Sequence, residues 1–255
     1  MLCGLIVRVQ LSQTAGAKLR CVMTIFFCGD PHGKFQHIID ACRVHRPEAV
    51  VLLGDIEPVK PLDQELSTVE CPVWWIHGNH DTDSDLSYDG LFASTWADRN
   101  LDGRVVTISG WRIAGLGGIW RDDVWGAPSA PKHENPEIYL TRHPKERWRG
   151  GLVRKHRSSI WWDTYNALLS EAADILVTHE APSCHPHGQT AVDDLGCALG
   201  VGVMFHGHHH EDRTYPAAEV RMGFRAAGVG KRSIVDEDGR IIVSGSAGRK
   251  TVIVG

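Results

Sequence analysis

The chain has 255 residues, and its 27 basic and 31 acidic side chains give a formal net charge of −4 at pH 7. This balance excludes a nucleic-acid-binding protein that works by bulk positive charge, although local basic patches stay open. With 42% hydrophobic and 23% charged residues, the composition is that of a folded protein rather than a disordered or fibrous one. The length suits one α/β domain with an insertion at least as well as two small domains.

Signals for membranes, secretion and disulfides are all weak. The longest uncharged apolar stretch, residues 196–205, is far shorter than the roughly 20 residues that a membrane-spanning helix needs. The apolar run at residues 2–7 is too short for a secretory signal. The seven cysteines are scattered and include no Cys-x-x-Cys pair, which argues against a disulfide framework and against a thiolate zinc site. We therefore predict a cytoplasmic protein with free thiols and no membrane partner.

Short apolar runs predict strands that are buried on both faces. The five runs are residues 23–28, 49–53, 73–77, 175–178 and 201–206. Between the first two, Phe35, Ile38, Ile39 and Cys42 recur at helical spacing, which predicts a helix that ends before Pro47 and therefore a β-α-β unit. The alternating residues 105–109 and 111–114 flank Gly110 and predict a hairpin, so we expect a mixed sheet.

The other segments depart from this plan. Residues 1–22 precede the first core strand and are predicted to be an N-terminal extension, with one domain over residues 23–255. Within that domain, residues 119–158 lack clear periodicity, are rich in Trp and Arg, and are interpreted as an insertion. A helix is predicted to follow it, with Ile160, Trp161, Tyr165, Leu168, Leu169 and Ala172 on one stripe. Antiparallel strands of a second sheet are predicted at residues 220–224, 234–235, 240–244 and 251–254.

Polar residues follow each of the five predicted buried strands directly. The motifs are Asp30-Pro31-His32-Gly33, Gly54-Asp55, Gly78-Asn79-His80-Asp81, His179 and Gly207-His208-His209-His210. Because the carboxyl ends of strands form the ligand crevice of a layered α/β fold, we expect these residues to converge. Their carboxylate, imidazole and amide groups, without any thiolate, suit divalent ions such as manganese, iron or zinc. The set is large enough to hold two ions.

In this order the motifs resemble those of the calcineurin-like metallophosphoesterase family, from about residue 23 to the C-terminus apart from residues 119–158. The resemblance implies an α/β fold, a four-layer α/β/β/α sandwich of two mixed β-sheets flanked by helices. It also implies two divalent metal ions, which would be Mn, Fe, Zn or Ni. Asp30, His32 and His210 would hold the first ion; Asn79, His179 and His208 would hold the second; and Asp55 would bridge both.

The resemblance further implies hydrolysis of a phosphomonoester or phosphodiester by a hydroxide that bridges the two ions. His80 would protonate the leaving group, with Asp81 as its supporting partner. The chemistry is sound, because two ions lower the pKa of a shared water and clamp the phosphate oxygens. We expect the substrate to be a phosphorylated small molecule or a nucleotide. The alternatives are a metal-dependent nuclease or cyclic-nucleotide phosphodiesterase, supported only by the basic insertion, and a non-catalytic scaffold, although no ligand position is lost.

Five other histidines near these motifs are not assigned as metal ligands. We interpret His77, His206 and His209 as polar residues at the rim of the crevice. His185 and His187 lie in a proline-containing loop that either approaches the substrate or lies at the surface.

The sequence leaves the roles of two further segments undecided. The insertion is either a cap whose Arg and Trp residues bind phosphate or stack a base, or a solvated basic face. After Asp55 the chain reads Ile56-Glu57-Pro58, where relatives often carry another Asp or Asn, so the contacts in this loop are open as well.

Overall fold

The computed structural model describes residues 24–245 and 252–253, so the predicted extension at residues 1–22 lies outside the described residues. The strands are β1 (Ile25–Cys28), β2 (Ala49–Leu53), β3 (Val73–Ile76), β4 (Arg104–Ile108), β5 (Trp111–Leu116), β6 (Arg147–Trp148), β7 (Gly151–Leu152), β8 (Ile175–Thr178), β9 (Val203–His206), β10 (Arg213–Thr214), β11 (Arg225–Gly228), β12 (Ile234–Val235), β13 (Ile241–Val243) and β14 (Val252–Ile253). The helices are α1 (Gln36–His45), α2 (Leu62–Glu65), α3 (Asp85–Phe92), α4 (Pro136–Arg142), α5 (Trp162–Leu168), α6 (Thr190–Leu199) and α7 (Pro216–Met222). Short 3₁₀ turns lie at His80–Thr82, Ala97–Arg99 and Arg154–Ser158.

The strands form two large mixed sheets and one small hairpin. The first sheet has the order β13-β12-β1-β2-β3, the second has the order β14-β10-β11-β9-β8-β5-β4, and β6 pairs with β7. Strands β1, β2 and β3 are parallel to one another, and so are β5, β8, β9 and β11. Parallel neighbours end at the same edge of a sheet, so the loops that follow them lie side by side.

Three apolar clusters separate four layers. The middle cluster lies between the two sheets, where the Phe27 and Phe205 rings stack with their centroids 4.2 Å apart. The outer face of the first sheet packs on α1, whose residues Ile38 and Ala41 are buried there. The outer face of the second sheet packs on α5, α6 and α7, for example through the buried Leu195. The four-layer sandwich that the resemblance implied is therefore confirmed.

The predicted elements before residue 210 agree closely with this fold. The five buried runs became β1, β2, β3, β8 and β9, and all but one of the side chains in these strands are buried. The predicted first helix is α1, which ends at His45 and is followed by Arg46 in the left-handed conformation just before Pro47. The hairpin around Gly110 is the antiparallel pair β4–β5.

The prediction of antiparallel strands in a second sheet after residue 210 was partly wrong. Residues 216–222 form α7, which begins at Pro216 and is followed by Gly223 with φ 79°, and Val220 on this helix is 95% exposed. Strands β12 and β13 are antiparallel, but they extend the first sheet beside β1. In the second sheet, β11 is parallel to β9 and β14 is parallel to β10. Apolar runs identify strands, whereas their neighbours depend on packing that the run does not encode.

Two further predictions concern the chain as a whole. No helix among the described residues is long and apolar enough to cross a membrane. The five cysteines within the described ranges are free thiols, namely Cys28, Cys42, Cys71, Cys184 and Cys197.

Candidate metal centre

The loops after β1, β2, β3, β8 and β9 bring the predicted ligands into two adjoining groups. One ligand atom from each of Asp30, His32, Asp55 and His210 lies within 4.8 Å of the others. The second group joins Asp55 to His179 and His208 by the same distance limit. The amide oxygen of Asn79, the remaining predicted ligand, lies 3.3 Å from His179 Nε2.

Asp55 belongs to both groups, as a bridging carboxylate must. Its Oδ1 atom lies 3.3 Å from His179 Nε2 and accepts a hydrogen bond of 2.9 Å from the His80 backbone N–H. Asp55 itself is 1% exposed and lies directly after β2, where the backbone turns with φ 47°. One carboxylate can offer an oxygen to each of two ions, so this position fits a shared ligand.

A buried carboxylate oxygen without a hydrogen-bond partner is suited to holding a cation. Asp30 is 0% exposed, and its Oδ2 atom has no hydrogen-bond partner among the described residues. Its other oxygen accepts a hydrogen bond of 3.1 Å from the His208 backbone N–H. A buried carboxylate oxygen left unpaired carries a large desolvation cost, which a coordinated cation would remove. The carboxylate, imidazole and amide donors around it therefore fit divalent metal ions.

Left-handed backbone conformations are concentrated at the candidate site. Five of the predicted ligands, Asp30, His32, Asp55, His208 and His210, have positive φ between 39° and 69°. Non-glycine residues rarely adopt this conformation, and such strain concentrates at functional sites. The glycine at position 78 allows the close approach of the groups around it, because a Cβ there would lie 2.2 Å from Asp55 Oδ1.

Hydrogen bonding prepares His179 to be a ligand through Nε2. Its Nδ1 donates to the carbonyl oxygen of Leu53 over 2.8 Å, since a carbonyl can only accept. The Nε2 lone pair of the neutral ring then faces Asn79 and Asp55, which is the usual arrangement of a metal-bound histidine. Burial opposes charging of this ring, but the Asp55 carboxylate outweighs burial and raises the pKa of His179 to about 10. Binding of a cation would therefore release a proton from this histidine.

Burial also sets the protonation of other predicted ligands. Burial lowers the pKa of His208 to about 4, with a further contribution from the charge of His179. Burial and then the neighbouring His32 lower the pKa of His210 to about 4 as well. Both rings are therefore neutral at pH 7, which is the form that binds metal. Burial raises the pKa of Asp30 to about 7.

The prediction that Asp81 supports His80 was wrong. The Asp81 carboxylate is fully buried and accepts hydrogen bonds from the backbone N–H groups of Glu57, at 2.7 Å, and Gly78, at 2.8 Å. Instead, His80 Nδ1 lies 2.6 Å from Asp83 Oδ2. A 3₁₀ turn at His80–Thr82 produces this geometry, because residues three apart eclipse one another on such a turn. Asp81 thus stabilises the loops after β2 and β3, and Asp83 is the partner that the sequence analysis missed.

Glu57 is a second residue that the sequence analysis left without a role. Its Oε2 atom lies 3.2 Å from His32 Nδ1, and its Oε1 atom lies 3.9 Å from His80 Nδ1. A carboxylate on Nδ1 leaves Nε2 of His32 available to a metal. The loop after Asp55, whose contacts the sequence left open, therefore supplies a carboxylate partner through Glu57.

The histidines interpreted as rim residues are more buried than predicted. His77 is 3% exposed and His206 is 1% exposed, so the prediction of rim positions was wrong for both. His206 Nε2 lies 3.0 Å from the Tyr215 hydroxyl, which satisfies it inside the molecule. His185 is also buried, and its ring stacks on that of His209 with centroids 3.8 Å apart.

The insertion at residues 119–158 is partly ordered into α4, the β6–β7 hairpin and the last 3₁₀ turn. Three of its basic side chains are held in ion pairs. Arg149 forms ion pairs with Asp85 and Asp89, and Arg154 pairs with Asp85. Lys155 likewise pairs with Asp123 over 2.7 Å. These cations are therefore already neutralised by acidic groups, most of them on α3.

Comparisons with known proteins agree with the fold and the motif order. A family model for calcineurin-like phosphoesterases matches residues 23–212. An uncharacterized protein of Haemophilus influenzae is 39% identical over 220 residues, which cover 86% of this chain and 96% of that protein. A solved structure from Thermus thermophilus has a TM-score of 0.57 at 14% identity and covers 88% of this chain and 98% of its own. A dimetal phosphatase from Danio rerio has a TM-score of 0.50 at 13% identity, over 84% of this chain and 92% of its own. At such low identities the two structures show the shared fold alone, but the family model spans most of the sequence, and the chain belongs to the calcineurin-like phosphoesterase family.

Proposed function

We propose that this protein hydrolyses phosphoric esters with the help of two divalent metal ions. The observation that carries the proposal is the pair of ligand groups that share Asp55 beside His80. Asp30, His32, Asp55 and His210 would hold the first ion, and Asp55, Asn79, His179 and His208 would hold the second. When bound, such ions activate water as a nucleophile and neutralise the negative charge of a phosphoryl group.

His80 is the residue that we assign to the leaving group. Its side chain is 46% exposed at the mouth of the site, so a substrate can reach it. Partial burial lowers its pKa, but hydrogen bonding to Asp83 and the nearby Asp55 and Glu57 carboxylates raise the pKa above its usual value. This direction favours the protonated ring that a general acid requires. With Nδ1 bonded to Asp83, the proton on Nε2 is free to go to the departing alkoxide oxygen.

The substrate class that we propose is a phosphomonoester or phosphodiester of a small molecule or nucleotide. The Danio rerio protein that shares the fold is a dimetal phosphatase, which favours a phosphatase. A nuclease is less favoured, because Arg149 and Arg154 of the insertion already pair with carboxylates and offer little to a phosphate backbone. A scaffold without activity is disfavoured, because six of the seven predicted ligands lie in the two groups and the seventh, Asn79, lies 3.3 Å from His179 Nε2. The choice of manganese and the cytoplasmic location remain predictions.

Metal content and hydrolysis test the proposal together. Protein reconstituted with Mn²⁺ or Zn²⁺ is analysed for bound metal and screened against phosphomonoesters, phosphodiesters, nucleotides and phosphopeptides. We expect close to two ions per chain and loss of hydrolysis on chelation. Asp55→Ala should lose metal as well as rate, while Asp98→Ala, at an exposed position, should lose neither. Activity that persists in chelator with no bound metal would refute the site.

The role of His80 has a separate test. His80→Ala should retain its metal, cleave an alkyl phosphate ester roughly 10²–10⁴-fold more slowly, and lose much less on a nitrophenyl ester, whose phenolate departs without a proton. His45→Ala, an exposed histidine on α1, is the matched control. If His80→Ala slows both esters equally, or loses metal, then His80 is not the acid.

A further inference from the structure

One arginine of the insertion holds the loop that carries His80. Arg154 Nε donates to the carbonyl oxygen of Thr82 over 2.8 Å, and its Nη2 donates to the carbonyl oxygen of Asp83 over 2.6 Å. Its remaining nitrogen, Nη1, donates to the carboxylate of Asp85. A single guanidinium group thus binds Thr82, Asp83 and Asp85, which lie between the 3₁₀ turn and the start of α3. Arg154 lies about 70 residues further along the chain. The planar, multidentate guanidinium is suited to this, and a lysine is not.

Other residues of the insertion fix the same region at additional points. Ser158 Oγ lies 2.7 Å from Thr82 Oγ1 in a buried hydrogen bond. Arg149 donates to both oxygens of Asp89 on α3. Arg157 Nη1 donates to the Tyr88 hydroxyl over 2.7 Å. The insertion therefore forms hydrogen bonds with residues 82, 83, 85, 88 and 89.

Residues 80–89 need support from the rest of the chain for two physical reasons. The turn at His80–Thr82 is only three residues long, and so short a 3₁₀ segment has little stability of its own. The region also concentrates the negative charges of Asp83, Asp85 and Asp89, which repel one another unless cations lie between them. Asp83 is the partner of His80, so any movement of its backbone moves the carboxylate that orients the imidazole.

We propose that residues 119–158 act as a buttress for the loop of His80, with Arg154 as the positioning residue. Arg154 would act on the reaction through Asp83, without touching the substrate. This inference rests on the proposed function, because it assigns a consequence for the proton that His80 delivers. It also gives the insertion a role that differs from both interpretations drawn from the sequence, a phosphate-binding cap and a solvated basic face.

The chain offers a matched control in the same segment. Arg147 is an exposed arginine of β6 whose guanidinium bonds to the carbonyl oxygens of Pro144 and Gly150, both within the insertion. Removing it takes away the same charge and side chain without breaking a contact to residues 82–89. The comparison therefore distinguishes the effect of losing the contacts to residues 82–85 from the effect of losing an arginine side chain in this segment.

The experiment compares Arg154→Ala, Arg154→Lys and Arg147→Ala with the wild type, all loaded with metal. Amide hydrogen exchange over residues 80–89 reports the order of the loop, and it does not depend on catalysis. Steady-state rates on an alkyl phosphate ester and on a nitrophenyl ester report delivery of the proton. Melting temperature and metal content show whether each variant is folded and loaded.

We expect Arg154→Ala to exchange faster at residues 80–89, to keep its metal, and to lose roughly 10- to 100-fold in kcat on the alkyl ester with a small change in KM. The nitrophenyl ester should be affected much less, Arg154→Lys should fall between, and Arg147→Ala should match the wild type. Unchanged exchange in Arg154→Ala, or equal losses on both esters in folded protein, would overturn the inference. If Arg154→Ala does not fold, Arg154→Lys decides by the same criteria. A wild type that cleaves neither ester refutes the proposed function and with it the effect of Arg154 on the reaction. The hydrogen-exchange result by itself still refutes or supports the structural buttress.

Discussion

Gly78 provides a sharp test of how closely the metal ligands are packed. A Cβ at this position would lie 2.2 Å from Asp55 Oδ1, 2.4 Å from the Asp55 backbone nitrogen and 2.6 Å from His179 Cε1. Restoring even a 3.0 Å contact with Asp55 Oδ1 requires a movement of about 0.8 Å. The atoms in the way belong to two ligands and to backbone, so they cannot swing aside as a flexible side chain would. Gly78→Ala should therefore displace the Asp55 carboxylate, which is proposed to bridge the two ions.

The expected size follows from that displacement. Overpacking of this kind costs about 1–3 kcal/mol of stability. A misplacement of roughly 1 Å at reacting groups costs about 100-fold in rate. The assay measures urea unfolding, metal content after dialysis, and kcat on an ester that the wild type cleaves. Gly202→Ala is the control, because its Cβ would meet only the Asp174 carbonyl oxygen at 3.9 Å. Full metal content and a rate within twofold of the wild type in Gly78→Ala would refute the reasoning.

Three further predictions concern metal affinity, pH and the core. Glu57→Ala removes the carboxylate 3.2 Å from His32 Nδ1 and should weaken Mn²⁺ binding about 10- to 100-fold in titration calorimetry; unchanged affinity would contradict this role. Burial lowers the pKa of His156 from 6.5 to about 4, so the fold favours its neutral ring, and stability that is complete above pH 6.5 falls as the pH drops toward 4. Between pH 7 and pH 5 the loss is about 2 kcal/mol, and urea unfolding of His156→Asn should show a correspondingly smaller pH dependence. An unchanged pH dependence in that variant would rule out His156 as the cause. Phe27→Ala, at a fully buried ring stacked on Phe205, should lower the free energy of unfolding by about 3–5 kcal/mol, and a loss below about 1 kcal/mol would show that the sheets do not pack there as described.

The predicted strands and ligands share one physical origin. The runs before Asp30, Asp55 and His179 are continuous and apolar because both faces of each strand are buried, so the run ends where the crevice begins. A polar residue at that point is conspicuous in the sequence. The local pattern was therefore enough to place the candidate ligands along the chain.

What the sequence did not reveal depends on contacts between distant segments. Val220 lies in an apolar run, yet it is 95% exposed on a helix, because α7 buries its other face. The partner of β12 is β1, more than 200 residues earlier, and no local signal encodes that pairing. The pairing of Asp83 with His80 was missed, although side chains three residues apart lie next to each other on a 3₁₀ turn. The contacts of Arg154 with residues 82–85 could be seen only in the folded chain.

The two sheets contribute unequal but complementary parts of the site. Asp30, His32, Asp55 and Asn79 follow strands of the first sheet, whereas His179, His208 and His210 follow strands of the second. Each proposed ion would accordingly draw ligands from both sheets, and neither half of the sandwich contains a full set for either one. Bound metal would then hold the two sheets together, so that ion release and separation of the sheets would be linked equilibria. If the two sheets packed in the wrong alignment, the ligands would not meet and the chain would not bind metal. Metal binding would therefore require a correctly assembled sandwich.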